Sequence, residues 1–325
     1  MSSFNSLPPI SHTLAASGDT ILTLNNPNAK FAPWEGDSKQ PSSTSTQGSP
    51  VTFRVSSQHL IQASSMFKAA LTGCWKEGSK TVDGFHEISA EDWDAEAMRI
   101  VLCLIHSRTM SIPRTVTLEM LAKIAVLVDY YELREALHFC ASLWIDHLRS
   151  SLPTTFGRDL TLWICVSWVF KDAAIFEAVT KLAIEHSPGK LSTLNLPIPE
   201  RVINRIQGRR EIALWGISIA LTELRLQLIN GKAGCSFECS SLLLGALTKY
   251  MHDAGFTEDY TIKKLSEGRS LMDAIKRVRE MKSPDRNWHR PVRYYDPCLF
   301  SLNVLTQPFL DKIAGSITPL GLYDP

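Results

Sequence analysis

The chain has 325 residues, 44% hydrophobic and 21% charged, with a formal net charge of +1. That length favours two ordinary domains over one large one, and the near-neutral charge removes any global argument for nucleic acid or an anionic membrane as partner. The opening MSSFNSLPPISHTLAASGD lacks the basic region and apolar run of a secretory signal. Seven cysteines, an odd number spread over predicted helices, fit buried thiols in a reducing compartment, so a cytoplasmic or nuclear location is expected.

Residues 1–18 are expected to form a flexible N-terminus. GDTILTL, Gly18 to Leu24, is rich in β-formers and alternates, which predicts a strand. The following segment, Asn25 to Pro50, is dominated by Pro, Ser, Gly and Asn and holds too few apolar groups to offset its ordering entropy, so it reads as a mobile insertion. VTFRV then resumes as a second strand, making a hairpin with a long connection. Ser56 or Ser57 can cap the next helix. Its stripe of Leu60, Ala63, Phe67, Ala70 and Leu71 recurs at steps of three and four and ends at Gly73. FHEIS predicts another strand, and Ser89 with Asp92 resembles a capping box. It precedes a helix striped by Met98, Val101, Leu102 and Ile105 that ends near His106.

After the extended MSIPR, helices are predicted over about 118–131 and 132–148, the second striped by Leu137, Ala141, Trp144 and Leu148. Pro153 disfavours continuation, which places a domain boundary near residue 150. Beyond it the chain reads almost wholly helical: about 159–170, 172–186, 200–229 with a break at Gly208, 238–254 and 270–281, and Leu299 to Leu320 closes it with more apolar residues. LTLWICVSWVF, Leu160 to Phe170, falls well short of the ~20 residues that cross a bilayer and reads as a core helix, so no membrane is expected.

Four phrases, VSSQHL, WKEG, LIHSRTMSIP and VLVDYYEL, occur in that order. FRVSSQHLIQASSMF has the form of a strand-to-helix signature, and DYYEL that of a turn between two core helices. With Asp19 opening the first strand, residues 19–150 resemble a BTB/POZ domain and are most similar to a filamentous-fungal branch of that family. The resemblance implies an α+β fold, a small β-sheet flanked by helices, followed by an all-α C-terminal region over 151–325. It also implies a protein-interaction module that self-associates as a homodimer or docks another protein, with no cofactor and no catalysis. Asp19, Ser56 and Ser57 are the contact residues it suggests.

Two departures bear on mechanism. Many family members pair the first-strand Asp with a basic residue just before the helix, whereas Ser56 and Ser57 stand opposite Asp19 here, so that ion pair is absent. Members that recruit cullin ubiquitin ligases tend to show an apolar residue, any residue, then an acid. Alignment on DYYEL puts Met120, Leu121 and Ala122 there, without the acid, although Glu119 lies next door. A cullin substrate adaptor, with the helical region as receptor, is therefore an alternative.

Other clusters have bland readings beside sharp ones. Cys235 and Cys239, with His252, His289 and Cys298 downstream, could supply zinc ligands, but the first pair can equally share one helical face and no metal is expected. Residues 263–293 are strongly basic. Lys276, Arg277, Arg279, Arg290 and Arg293, with Trp288, Tyr294 and Tyr295, could meet a phosphate backbone, which makes a nucleic-acid-associated regulator the other alternative. Clusters of this size are usually solvated faces. No phosphate-cradling glycine loop, HExxH or GxSxG occurs. His86 and Glu87, adjacent on a strand, point to opposite faces, and His106 reads as a packed, hydrogen-bonded histidine.

Overall fold

The computed structural model describes residues 10–34, 48–73, 75–256, 265–284 and 300–323. The chain divides into two compact units. The first comprises Met1–Pro153, Gly157–Phe176 and Thr193–Ile198; the second Thr154–Phe156, Glu177–Ser192 and Pro199–Pro325.

The first unit is built on four strands, β1 (His12–Thr13), β2 (Thr20–Asn25), β3 (Val51–Val55) and β4 (His86–Glu91), in the order β1-β3-β2-β4. β2 runs antiparallel to β3, with Leu22 opposite Phe53, and parallel to β4, with Leu22 opposite Ile88. The hairpin with a long connection is therefore present. β2 lies inside the sheet with both faces covered, so Ile21, Leu22 and Leu24 are all buried and its alternation does not separate inside from outside. β4 does alternate: His86 is buried and Glu87 exposed.

The N-terminal stretch is not wholly free. His12 and Thr13 pair in parallel with β3, the Leu14 amide donates to the Arg54 carbonyl, and Leu14 is buried. Residues 1–9 lie outside the described residues. The start of the expected insertion is also tied down: Asn28 exchanges hydrogen bonds with the Trp93 carbonyl and the Ala95 amide, and Ala32 is buried. Residues 35–47 lie outside the described residues. Gly18 is required where β2 begins, because a Cβ there would stand 2.5 Å from the Val55 carbonyl oxygen.

The single helix expected after β3 is two: α1 (Ser57–Ala63) and α2 (Ser65–Thr72). Ser64 breaks them in an extended conformation (φ −143°, ψ 125°). Its hydroxyl caps α2 by accepting from the Phe67 amide (3.0 Å) and donates to the Tyr131 carbonyl (2.6 Å). The capping box expected at Ser89 and Asp92 is replaced by Asp94, which accepts from the Ala97 amide at the start of α3 (Ala95–Ile105); Ser89 stays in β4 and accepts from Asn25. The DYYEL turn joins α4 (Leu118–Tyr130) to α5 (Arg134–Leu148), with Glu132 left-handed (φ 54°) and Tyr131 stacked on Phe67.

The first unit runs past the boundary expected near residue 150. α6 (Arg158–Phe170) is buried on nearly every side and packs against α4 and α5. Every residue from Leu160 to Ser167 is buried, and the Ser167 hydroxyl is returned to the Trp163 carbonyl. A helix apolar all round needs cover all round.

α7 (Ala173–His186) begins in the first unit and continues into the second, where α8 (Glu200–Ile229), α9 (Phe237–Asp253), α10 (Leu271–Arg279) and α11 (Leu302–Ser316) follow. Leu214, Ile217, Leu221, Leu224 and Leu228 of α8 meet Leu247, Ile275 and Leu310 in one core. The break expected at Gly208 does not occur. Just beyond it Arg210, fully buried, donates to the carbonyls of Ser266 and Arg269 (2.8 Å each) and to Gln207 (3.1 Å), anchoring the helix through that point.

Candidate partner-docking site

Asp19 and Ser57 are brought together where the start of β2 pairs with the end of β3. Asp19 accepts from the Ser57 amide through Oδ1 (2.8 Å) and from the Ser57 hydroxyl through Oδ2 (2.7 Å). Asp19 thus satisfies the first free amide of α1, which Ser56 does not do through its own side chain. Burial pushes the Asp19 carboxyl up, but the two bonds from Ser57, with His86 nearby, hold it below the usual carboxylate value. Because Ser57 is buried, this pair braces the sheet against α1 rather than offering an open contact. A hydrogen-bonded pair thus stands where the resemblance implied an ion pair.

Ser56 is used separately. Its amide donates to His106 Nε2 (3.0 Å), while His106 Nδ1 meets the Leu102 carbonyl (2.8 Å) at the end of α3. Nδ1 therefore carries the proton and the ring is neutral. Burial holds the His106 pKa below its ordinary value. The ring stacks on His59 of α1 at 5.0 Å, so His106 is packed and hydrogen-bonded, here through both ring nitrogens.

Beside that stack lies a groove of about 210 Å³, lined by His59, Gln62 and Ala63 of α1, Leu104 and Ile105 of α3, and Glu135 and Ala136 of α5. Ala136 also begins a stripe on the outer side of α5. Ala136, Phe139, Cys140 and Leu143 follow at steps of three and four, with Phe139 73% and Leu143 53% exposed. The inner side of the same helix carries Leu137, Ala141, Trp144 and Ile145, all buried. Sequence reading found the inner stripe and missed the outer; the signal was present, since a helix with two apolar stripes has one more than a single core needs.

Met120 sits half-buried in the first turn of α4, and Leu121 and Ala122 are fully buried, so an acid at position 122 would enter the core. Glu119 is already held by Lys123 (3.0 Å) and Arg158 (2.9 Å). Burial raises its pKa, but those two cations pull it below the ordinary value.

In the second unit, Lys276, Arg277 and Arg279 lie on the exposed side of α10. Arg279 pairs with Asp311 (2.9 Å) and Lys276 approaches Glu280 (4.0 Å). Arg290 and Arg293 lie outside the described residues. Cys239 is buried on α9, Cys235 is exposed before it and His252 closes that helix, whereas His289 and Cys298 lie outside the described residues. Among the described residues no cluster of three or more potential metal ligands occurs.

The match to known families decides what the sheet, the paired helices and the DYYEL turn amount to. Residues 47–148, from just before β3 to the end of α5, match the BTB/POZ domain family. The chain carries a BTB/POZ domain. The structure adds β1, β2 and α6 to the matched stretch within the same compact unit. No curated protein matches the chain. BTB/POZ domains are protein–protein interaction modules and are not typically catalytic, so binding a polypeptide is the activity this half of the chain brings.

Proposed function

We propose that this protein is a non-catalytic scaffold whose BTB/POZ domain docks a different polypeptide on the outer face of α5 and the groove beside it. The supporting observation is the second apolar stripe of α5. Phe139 and Leu143, one turn apart and exposed, follow Ala136, which is shared with the groove. A groove of about 210 Å³ lies below the ~300–1,000 Å³ of small-molecule sites but admits one or two apolar side chains of a partner. An exposed aromatic beside a pocket is the usual centre of binding energy in an interface of about 1,200–2,000 Å².

The rival readings have less support. A cullin adaptor would need an acid near Met120, and Glu119 is engaged by two cations. A nucleic-acid reading draws on α10, where two of three basic residues have acidic neighbours.

Full-length wild type and a Phe139→Asp, Leu143→Asp double variant, immobilised in the native cell extract, test the docking face. Both positions are exposed, so stability should change by no more than about 0.5 kcal/mol per substitution, about 1 kcal/mol in all, while recovery of at least one partner falls about tenfold or more. A variant that retains every wild-type partner overturns the proposal. Wild type that recovers only itself replaces the different partner with a second copy.

A further inference from the structure

α8 has an apolar side that the core of its own unit does not use. Ile212, Trp215, Ile219, Leu226 and Ile229 are 73%, 38%, 53%, 44% and 55% exposed, while Leu214, Ile217, Leu221, Leu224 and Leu228 face inward. With Thr222 the outer residues form two interleaved series seven apart: Ile212, Ile219 and Leu226, then Trp215, Thr222 and Ile229. Steps of three and four alternate along about 27 Å of helix. Such a seam is what one helix presents to another, since knobs enter holes only in this register. A lipid surface needs an apolar face but no heptad.

We propose that α8 is a self-association seam on which two copies of this chain pair antiparallel about a twofold axis passing between Ala220 and Leu221. Read in reverse, the seam complements itself. Ile212 meets Ile229 of the second copy, Trp215 meets Leu226 and Ile219 meets Thr222, which sets a small side chain against a branched one at the centre. Charge selects the same orientation. Antiparallel pairing sets Glu211 against Lys232 of the second copy at both ends, whereas parallel pairing brings no opposite charges together along the flanks. Glu211 is fixed on its own chain, where its Oε1 accepts from Gln207 (2.6 Å) and Ser266 (3.2 Å), so Lys232 of the second copy would be met through Oε2. The five exposed side chains present about 500 Å² per copy, so the pair reaches about 1,000 Å² before its flanks are counted, the lower bound for a specific interface. By length and composition α8 could also cross a membrane. A spanning role would require stripping its inner stripe from α9, α10 and α11, which favours a helix as occupant.

Light scattering on the full chain, joined to zero-length carbodiimide cross-linking and mass spectrometry, tests this. Twice the chain mass is expected, with an amide between Glu211 and Lys232. The two residues lie about 30 Å apart along one chain, so that link must join two copies. Ile219→Glu buries a charge in the seam and should raise the dimer dissociation constant at least ~100-fold. The milder Lys232→Glu, which leaves the apolar seam intact, should raise it about threefold and only at low salt. Phe139→Asp should leave the mass unchanged, which separates this seam from the α5 docking face. A monomeric wild type, a dimer that survives Ile219→Glu, or one that dissociates with Phe139→Asp overturns the seam. A link from Lys232 to Asp285 or Asp296 within one chain overturns it equally, since the chain would then cover its own stripe. A dimer that breaks with Ile219→Glu but lacks the 211–232 link overturns the antiparallel register.

Discussion

Asp19 and His106 show how single polar groups hold the BTB/POZ core. Asp19→Ala would leave a buried hydroxyl and the first amide of α1 without an acceptor, so a loss of about 2–3 kcal/mol in urea-unfolding stability is expected. Because the folded pKa of Asp19 lies below its unfolded value, its contribution is present above that value and disappears as pH falls through the folded one. His106 acts at higher pH. Its folded pKa is depressed below the ordinary 6.5, so the unfolded chain takes up the proton first and stability drops as pH falls below about 6.5. Protonation puts a second N–H where the Ser56 amide must donate. His106→Phe should therefore flatten the urea midpoint between pH 7.5 and 5.5 relative to wild type. An unchanged slope would show that His106 does not contribute there.

At the scale of elements, interruptions and continuities are set by buried partners more than by local propensity. The α1–α2 break depends on Ser64, whose hydroxyl serves the α2 cap and the Tyr131 carbonyl at once. Ser64→Ala should cost about 2 kcal/mol, and thermal melting of the full chain reads that loss. α8 shows the reverse case, where a glycine that lowers helix propensity does not end the helix. Arg210 ties it to the 266–269 segment, and Arg210→Met would leave two carbonyls unsatisfied in the core. Destabilisation by about 3 kcal/mol is expected, with loss of hydrogen-exchange protection concentrated around Ser266 and Arg269. Equal protection in both proteins would remove this role.

For the whole molecule, the position of α6 decides where the first unit can be cut. A chain ended at Ser150 lacks the helix that covers α4 and α5 and leaves their apolar surface in water, so it should aggregate or melt well below a chain ended at Ile198. Size-exclusion chromatography and thermal melting of the two fragments check this, and a soluble chain ended at Ser150 with the same melting temperature as the one ended at Ile198 would contradict it. If α5 docks a partner and α8 pairs two copies, each assembly would present two docking faces, and avidity for a divalent partner would follow from dimerisation.

The sequence by itself determined the classes of element, the β2–β3 hairpin, the BTB/POZ resemblance and the inward stripes, because hydrophobic period and the ordered phrases around Phe53 and Tyr131 are local properties of the chain. Only the tertiary structure decided that α6 belongs to the first unit, that Asp19 braces Ser57 and that Asp94 rather than Ser89 caps α3. Those outcomes depend on which surfaces and hydrogen-bonding groups meet across distant segments. The candidate docking stripe was written in the chain as plainly as the core stripe on the same helix. Period shows that a helix has two apolar sides; which of them stays in water is settled only when the rest of the fold has taken its place.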